Sequence, residues 1–279
     1  MGNMTQEELE KLHGVLLDMM CQFDRVCREN DISYFLGGGT LLGAIRHGGF
    51  IPWDDDADLM MTRENYDKLC ALPRSAFPEG WFLQTYKTDP HYHGDMAKIR
   101  LDGTAYSTEF SNRFPEMHQG IFLDIFAHDR TAKNKKMQKI HIFCTTLIRS
   151  MIFHKWEGTP MHFYGKYKLV CAVFTGLIRI LPMRLLEKIR EWIYRWYEKS
   201  DSPYFYDGMG MHLQHGAFST HLLDRAEYRA FAGQMLPVPE RFDEYLTFSY
   251  GDYMRLPSEE DRRLHSIFKL DFGDDRGQA

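Results

Sequence analysis

Three aspartates offer the most direct chemistry in this sequence. Asp56 and Asp58 stand two apart at the start of Ala57-Asp58-Leu59-Met60-Met61, whose apolar run predicts a strand, so their side chains are expected on one face. Asp124 lies within Ile121-Phe122-Leu123-Asp124-Ile125-Phe126, a strand-like run whose apolar character suits a buried position. A buried carboxylate without a partner is costly. Two carboxylates held together repel each other unless a cation lies between them. A divalent metal answers both problems, because Mg²⁺ binds through one or two carboxylates and completes its shell with water and phosphate oxygens. The plainer alternatives are a solvated acidic turn at Asp54-Asp55-Asp56 and a salt bridge from Asp124 to a buried Arg or Lys. Upstream, Gly37-Gly38-Gly39 sits between a short predicted strand, Ser33-Tyr34-Phe35-Leu36, and a short predicted helix over 40–46. A glycine turn at that junction lets backbone N–H groups approach a phosphate.

These residues need a frame. Thr5-Gln6-Glu7-Glu8 has the form of a capping box, and Leu9, Leu12, Leu16, Met19, Phe23 and Val26 follow at helical spacing, which predicts an amphipathic helix over 5–29 ending near Asn30. His47-Gly48-Gly49-Phe50-Ile51-Pro52 reads as a loop, 63–72 as a helix, and 81–86 and 96–108 as strand-containing stretches. Lys98 and Arg100, two apart on a predicted strand, share a face. Residues 134–155 and 166–198 read as helices, broken near Gly158-Thr159-Pro160 and at Pro182. The stretch 201–279 reads as loop-rich, with Leu236-Pro237-Val238-Pro239, a short helix over 240–249 and Tyr250-Gly251-Asp252-Tyr253. The expected organisation is an α/β (α+β) core over 1–132, a basic helical segment over 133–200, and a C-terminal part over 201–279 that packs back on the core.

Glycines, a helix, Asp-x-Asp on a strand and a lone Asp on a later strand resemble the nucleotidyltransferase superfamily. More narrowly, Gly39-Thr-Leu-Leu-Gly-Ala-Ile-Arg-His-Gly-Gly-Phe-Ile-Pro-Trp-Asp-Asp-Asp-Ala-Asp58 resembles the LicD family of phosphocholine transferases, to which the fukutin-type phosphoribitol transferases are related. Lys98-Ile99-Arg100 with Thr104, Gly120-Ile-Phe-Leu-Asp-Ile-Phe126, and Tyr250-Gly-Asp-Tyr253 followed by Leu256-Pro257 and His265 fit the same family. Ala127 stands where that family carries Pro. The resemblance implies a nucleotidyltransferase-like mixed sheet. It implies Asp56, Asp58 and Asp124 as metal ligands and catalytic residues, with Mg²⁺ or Mn²⁺ as the cofactor. It places Gly38, Gly39 and Thr40 at the donor phosphates, Arg46 and His47 toward a diphosphate, and Lys98 and Arg100 toward one anion. For Arg46, His47, Lys98 and Arg100 an ordinary surface charge is an equal reading. The donor implied is a CDP-alcohol, CDP-choline most simply, and the acceptor a glycan or lipid-linked glycan of a cell-surface polysaccharide, teichoic acid or lipopolysaccharide. Asp124 or Asp54 would take the acceptor's proton. The carboxylates alone would equally serve transfer of NMP from an NTP to a small molecule, or a non-catalytic nucleotide- or glycan-binding protein.

Composition narrows the field. With 44% hydrophobic and 26% charged residues over 279, the chain is of globular type rather than disordered. Five Cys with no CxxC fit neither a disulfide framework nor a zinc ribbon. No secretory signal is visible, so a cytoplasmic location is expected. The formal net charge of −5 hides an asymmetry: residues 133–199 hold 14 Lys/Arg against 4 Asp/Glu, an excess of +10, while the remainder sums to −15. Trp192, Tyr194, Trp196 and Tyr197 mingle there with Lys188, Arg190 and Arg195. Two readings stand: a helix pair packed on the core with a basic solvated side, or peripheral contact with the inner membrane face. The uncharged run Leu169–Ile178 is too short to span a bilayer. A pI near 6.2 and the lack of a recognition motif argue against nucleic acid as a partner.

Overall fold

The computed structural model describes residues 4–159, 176, 178–210, 213, 215–258, 262 and 267–273. By its contacts the chain divides into two units: residues 1–92, 96–127 and 221–279 form the first, and 93–95 with 128–220 the second. Together they make a mixed α/β fold.

In the first unit, α1 (Gln6–Glu29) starts at the capping box that the sequence predicts: the Thr5 hydroxyl accepts from the Glu8 N–H while the Glu8 carboxylate accepts from the Thr5 N–H. Its apolar stripe, Leu9, Leu12, Leu16, Met19 and Phe23, is buried. Next come β1 (Phe35–Leu36), α2 (Gly38–His47), β2 (Asp58–Thr62), α3 (Arg63–Ala71), β3 (Trp81–Gln84), β4 (Ala97–Leu101), β5 (Ala105–Thr108) and β6 (Phe122–Arg130). The main sheet runs in the order β1-β2-β6-β4-β3. Antiparallel pairing of β4 with β6 sets Lys98 opposite Asp124 and Arg100 opposite Phe122. Every β6 residue from Leu123 to Ile125 is buried, as the apolar run requires.

Two expectations shift. The glycine turn is not a loop before a helix: Gly38 and Gly39 form the first turn of α2, with Gly37 as its cap. The strand after the acidic run begins at Asp58, so Asp56 precedes it and the shared-face argument does not apply to the pair.

The C-terminal stretch is more regular than its proline and glycine content implies. It holds β9 (Ala226–Phe231) and β10 (Gln234–Pro239), an antiparallel hairpin in which Pro237 faces Tyr228 and Pro239 faces Ala226. Between them Ala232 and Gly233 both take positive φ, the geometry of a tight two-residue hairpin turn. The last described helix, α6 (Phe242–Tyr250), matches the predicted one, and β11 (Ile267–Asp271) pairs with β5.

The second unit contains α4 (Lys135–Glu157), α5 (Met183–Tyr194), β7 (Tyr204–Tyr206) and β8 (Ala217–Ser219), with Asp129 and Arg130 at the end of β6 pairing to β7. Ile148, Met151, Ile152, Ile178, Leu186 and Ile193 form its apolar core. His141 is buried in this core, donating from Nε2 to the Ile193 carbonyl, and burial pushes its pKa down to about 4. Pro182 caps α5, as a break there implies. Most of the predicted run Leu169–Ile178 lies outside the described residues.

Candidate functional site

The acidic run is pinned from two sides before any ligand is considered. His13 on α1 bonds the Asp54 carbonyl through Nε2 at 2.7 Å and stacks on Phe50 at 4.3 Å between ring centres. Asp55 is buried, and the Tyr106 hydroxyl donates to its Oδ2 at 3.0 Å. Burial, then the Asp55 charge, pushes the Tyr106 hydroxyl up, so it remains a donor. With Asp55 turned inward, its neighbours Asp54 and Asp56 are left half-buried on the site side of the chain.

Helix α2 explains the glycines. Gly38 has φ +45°, and a Cβ there would fall inside contact distance of the Asp58 carboxylate. A Cβ on Gly39 would collide with the carboxylate of Asp54. Two carboxylates therefore lie against the first turn of a helix, where unsatisfied N–H groups and the helix dipole favour negative charge. Thr40 is buried, and its hydroxyl accepts from the Asp58 N–H at 2.8 Å, so this side chain positions the start of β2. The Gly37 N–H adds a bond to the Asp58 carbonyl, and the Asp124 N–H one to the Ala57 carbonyl.

Asp124 enters from β6. Its carboxylate is ion-paired with the ammonium of Lys98, its cross-strand neighbour, whose Nζ lies 3.7 Å from the centre of the Phe122 ring. The salt bridge to a buried cation, one of the two readings open from sequence, is thus present. Arg100 shares the Lys98 face, with its guanidinium 4.5 Å from the same ring. Its donors are directed elsewhere: Nε bonds Gln84 at 2.8 Å and a terminal nitrogen bonds the Gly120 carbonyl at 2.7 Å. Burial lowers its pKa to about 10. In this state Lys98 and Arg100 serve different partners rather than one anion.

Asp58 shows what the gathering costs. Burial pushes its carboxyl well above the ordinary carboxylate range, and the charges of Asp56, Asp124 and Asp54 push it further; Lys98 acts in the opposite sense. Burial in turn lowers the Lys98 ammonium, while Asp124 supports its charge. The four acids are near enough to feel one another. As the side chains stand, no three His, Cys, Asp or Glu among the described residues are placed to hold a metal together. The donor set nevertheless suits a hard cation: it is all carboxylate, and Mg²⁺ needs only one or two protein carboxylates when phosphate oxygens supply the rest.

Arg46 and His47, in the last turn of α2, lie beside the C-terminal segment. Arg46 donates to the Tyr253 carbonyl at 2.9 Å and, at 3.4 Å, to that of Arg255. It therefore holds the Tyr250–Tyr253 motif to the site helix, and burial lowers its pKa. His47 meets the Trp53 ring edge-on at 6.0 Å, and the Arg262 guanidinium lies 4.5 Å over that ring. Sequence reasoning missed His13, Tyr106, Gln84 and Arg262. Each acts through a contact distant along the chain, and none has a local pattern that would reveal it.

Comparison with known proteins identifies the family. A family model described as LicD/FKTN/FKRP, nucleotidyltransferase domain, matches residues 31–164. The chain is 31% identical to the lipopolysaccharide cholinephosphotransferase LicD of Haemophilus influenzae, over 95% of its own length and 98% of the relative's. A 34-residue stretch, 12% of this chain and 7% of the relative, is 56% identical to the ribitol 5-phosphate transferase FKRP of Homo sapiens, and the Mus musculus protein matches equally. The chain belongs to the LicD family and is a LicD-type phosphotransferase.

Proposed function

We propose that this protein moves phosphocholine from CDP-choline to a hydroxyl of a lipopolysaccharide glycan, with Mg²⁺ or Mn²⁺ as cofactor. Similarity to the Haemophilus influenzae enzyme along nearly the whole chain supports the transferred group and the acceptor class. The observation that carries the chemistry is the raised Asp58 carboxyl among Asp54, Asp56 and Asp124, a negative cluster beside a helix N-terminus. Asp56 and Asp58, with Asp124 close by, would hold the metal. Once bound, it would neutralise charge on the donor diphosphate and on the departing CMP.

The protein's own groups do the rest. The first turn of α2 offers N–H groups to the donor phosphates. Lys98 brings a positive charge among the acids, and Thr40 fixes Asp58 through its backbone. Asp124 or Asp54 accepts the acceptor hydroxyl's proton as the new O–P bond forms in line with the breaking bond to CMP. Five anchors hold the acidic segment: His13, Tyr106, Thr40, Gly37 and the Asp124 N–H. They remove a reorganisation cost that would otherwise fall on the transition state.

A screen of CDP-choline, CDP-ribitol, CTP and other NTPs with lipopolysaccharide and Mg²⁺ or Mn²⁺ tests this. CMP release coupled to labelled choline on the glycan is expected, and chelation with EDTA should abolish it. Diphosphate release from an NTP instead would assign a nucleotidyltransferase, and nucleotide binding without turnover a binding protein. The FKRP match favours one second reading, a polyol phosphate as the transferred group, which CMP release from CDP-ribitol would reveal.

A further inference from the structure

We propose that the outward faces of α4 and α5 form a docking surface for an anionic lipid bilayer. On α4, Lys136, Lys139, Ile140 and Phe143 fall at three- and four-residue spacings on one face and are exposed, Phe143 at 64%, and Phe153 further along the helix is exposed too. On α5, Arg184, Lys188 and Trp192 recur every four residues with Leu185 beside them, and Trp192 is 64% exposed. Ile180, next to Arg179, is 81% exposed. The inward faces of the same helices are already spent on the core around Ile148, Ile152, Leu186 and Ile193. The exposed apolar side chains are therefore surplus to folding.

Charge identifies the occupant. The acids of this region are engaged within the unit: Glu187 is buried against His93 at 2.7 Å, Glu191 and Glu198 both bind Arg195 at 2.7 Å, and Glu157 accepts from Thr159. Among the described residues no ion pair neutralises Lys136, Lys139, Arg184 or Lys188. Acids engaged by neighbours within the unit and lysines turned outward leave a net positive face studded with aromatic and aliphatic side chains. A phosphate-rich polymer would meet the charges but leave Phe143, Ile180 and Trp192 in water. The boundary of an anionic bilayer takes both, headgroups for the lysines and acyl chains for the apolar side chains. No helix among the described residues is long and apolar enough to cross a membrane.

The full-length protein is spun with vesicles of phosphatidylcholine alone or mixed with phosphatidylglycerol, without donor or acceptor, so the result is independent of the transfer reaction. Binding to the mixed vesicles that weakens with salt is expected. Lys136→Glu and Lys188→Glu should each weaken it about fivefold or more, the factor associated with one charge near an anionic leaflet, whereas Lys136→Arg should preserve it. Phe143→Ser and Trp192→Ser should also reduce binding, with unchanged circular dichroism and melting. Equal binding to neutral vesicles, absence of binding, or retention on RNA but not on vesicles would each overturn the proposal. So would a concentration-dependent dimer in sedimentation that Phe143→Ser and Trp192→Ser convert to monomer, which would make a second copy the occupant.

Discussion

Two clusters in this molecule use the same ingredients with opposite balance. In the second unit, the Asp95 carboxylate receives Arg149 at 2.7 Å, Arg190 at 2.8 Å and the Tyr194 hydroxyl at 3.1 Å. Arg149 spends its remaining donors on the carbonyls of Gly208, Met209 and Gly210, and Arg190 adds a bond to that of His93. One acid answers two guanidiniums, and the polar groups find partners. In the first unit, burial first and then the charges of Asp56, Asp124 and Asp54 push Asp58 toward protonation, while Lys98 acts in the opposite sense. The first arrangement is complete in itself and holds a fold together. The second gathers acids around a buried carboxyl, an arrangement suited to a cation or a polar ligand. A buried acid crowded by other acids, rather than one matched by guanidiniums, distinguishes a working site from a structural network.

That contrast can be tested by removing one acid from each cluster. Asp58→Asn should lower choline transfer about a thousandfold or more, the upper range for losing one group that stabilises a transition state. It should also raise the melting temperature of the EDTA-treated protein, because the cost of burying that carboxylate among other acids is gone; a lower melting temperature would refute this description of the cluster. Asp95→Asn should act the other way, leaving two guanidiniums without their acid and destabilising the fold by about 3–5 kcal/mol, read by urea or thermal unfolding.

Acidity sharpens the same comparison. A carboxyl whose native pKa is raised makes the folded state bind more protons than the unfolded chain, so stability must fall as pH rises through that window. In EDTA, stability should therefore increase as pH is lowered from the raised Asp58 pKa toward the unfolded carboxylate value of about 3.9, by about 1.4 kcal/mol for each pH step of one that is crossed. Asp58→Asn should flatten this slope, and Asp95→Asn should leave it. The smallest effect is expected at Arg46. Arg46→Gln removes bonds to the Tyr253 and Arg255 carbonyls and should cost about 1 kcal/mol, with a severalfold rise in KM measured at saturating metal.

The candidate site was partly legible. The acidic motif, the lone Asp124 and the glycine turn stand out because short-range pattern encodes them. The purpose of the glycines was not: Gly38 and Gly39 make room for carboxylates that arrive from 15 to 20 residues later in the sequence. Arg100 reads as a twin of Lys98, yet Gln84 on the adjacent strand and the Gly120 carbonyl turn it away from any anion. The hairpin β9–β10 was hidden by Pro237 and Pro239, residues that normally interrupt strands and are tolerated here in a two-stranded ribbon.

What the sequence determined by itself is local. The capping box and stripe of α1, the helices α3 and α6, the apolar runs of β2 and β6, and the segregation of positive charge into 133–199 follow from interactions among near neighbours. What the tertiary structure decided is who answers each charge. Lys98 faces Asp124 because β4 and β6 pair in one register, Tyr106 takes Asp55, His13 takes the Asp54 backbone, and Arg149 and Arg190 converge on Asp95. Electrostatic partnership acts over a few ångströms in space and is indifferent to separation along the chain, so only the folded arrangement could assign it.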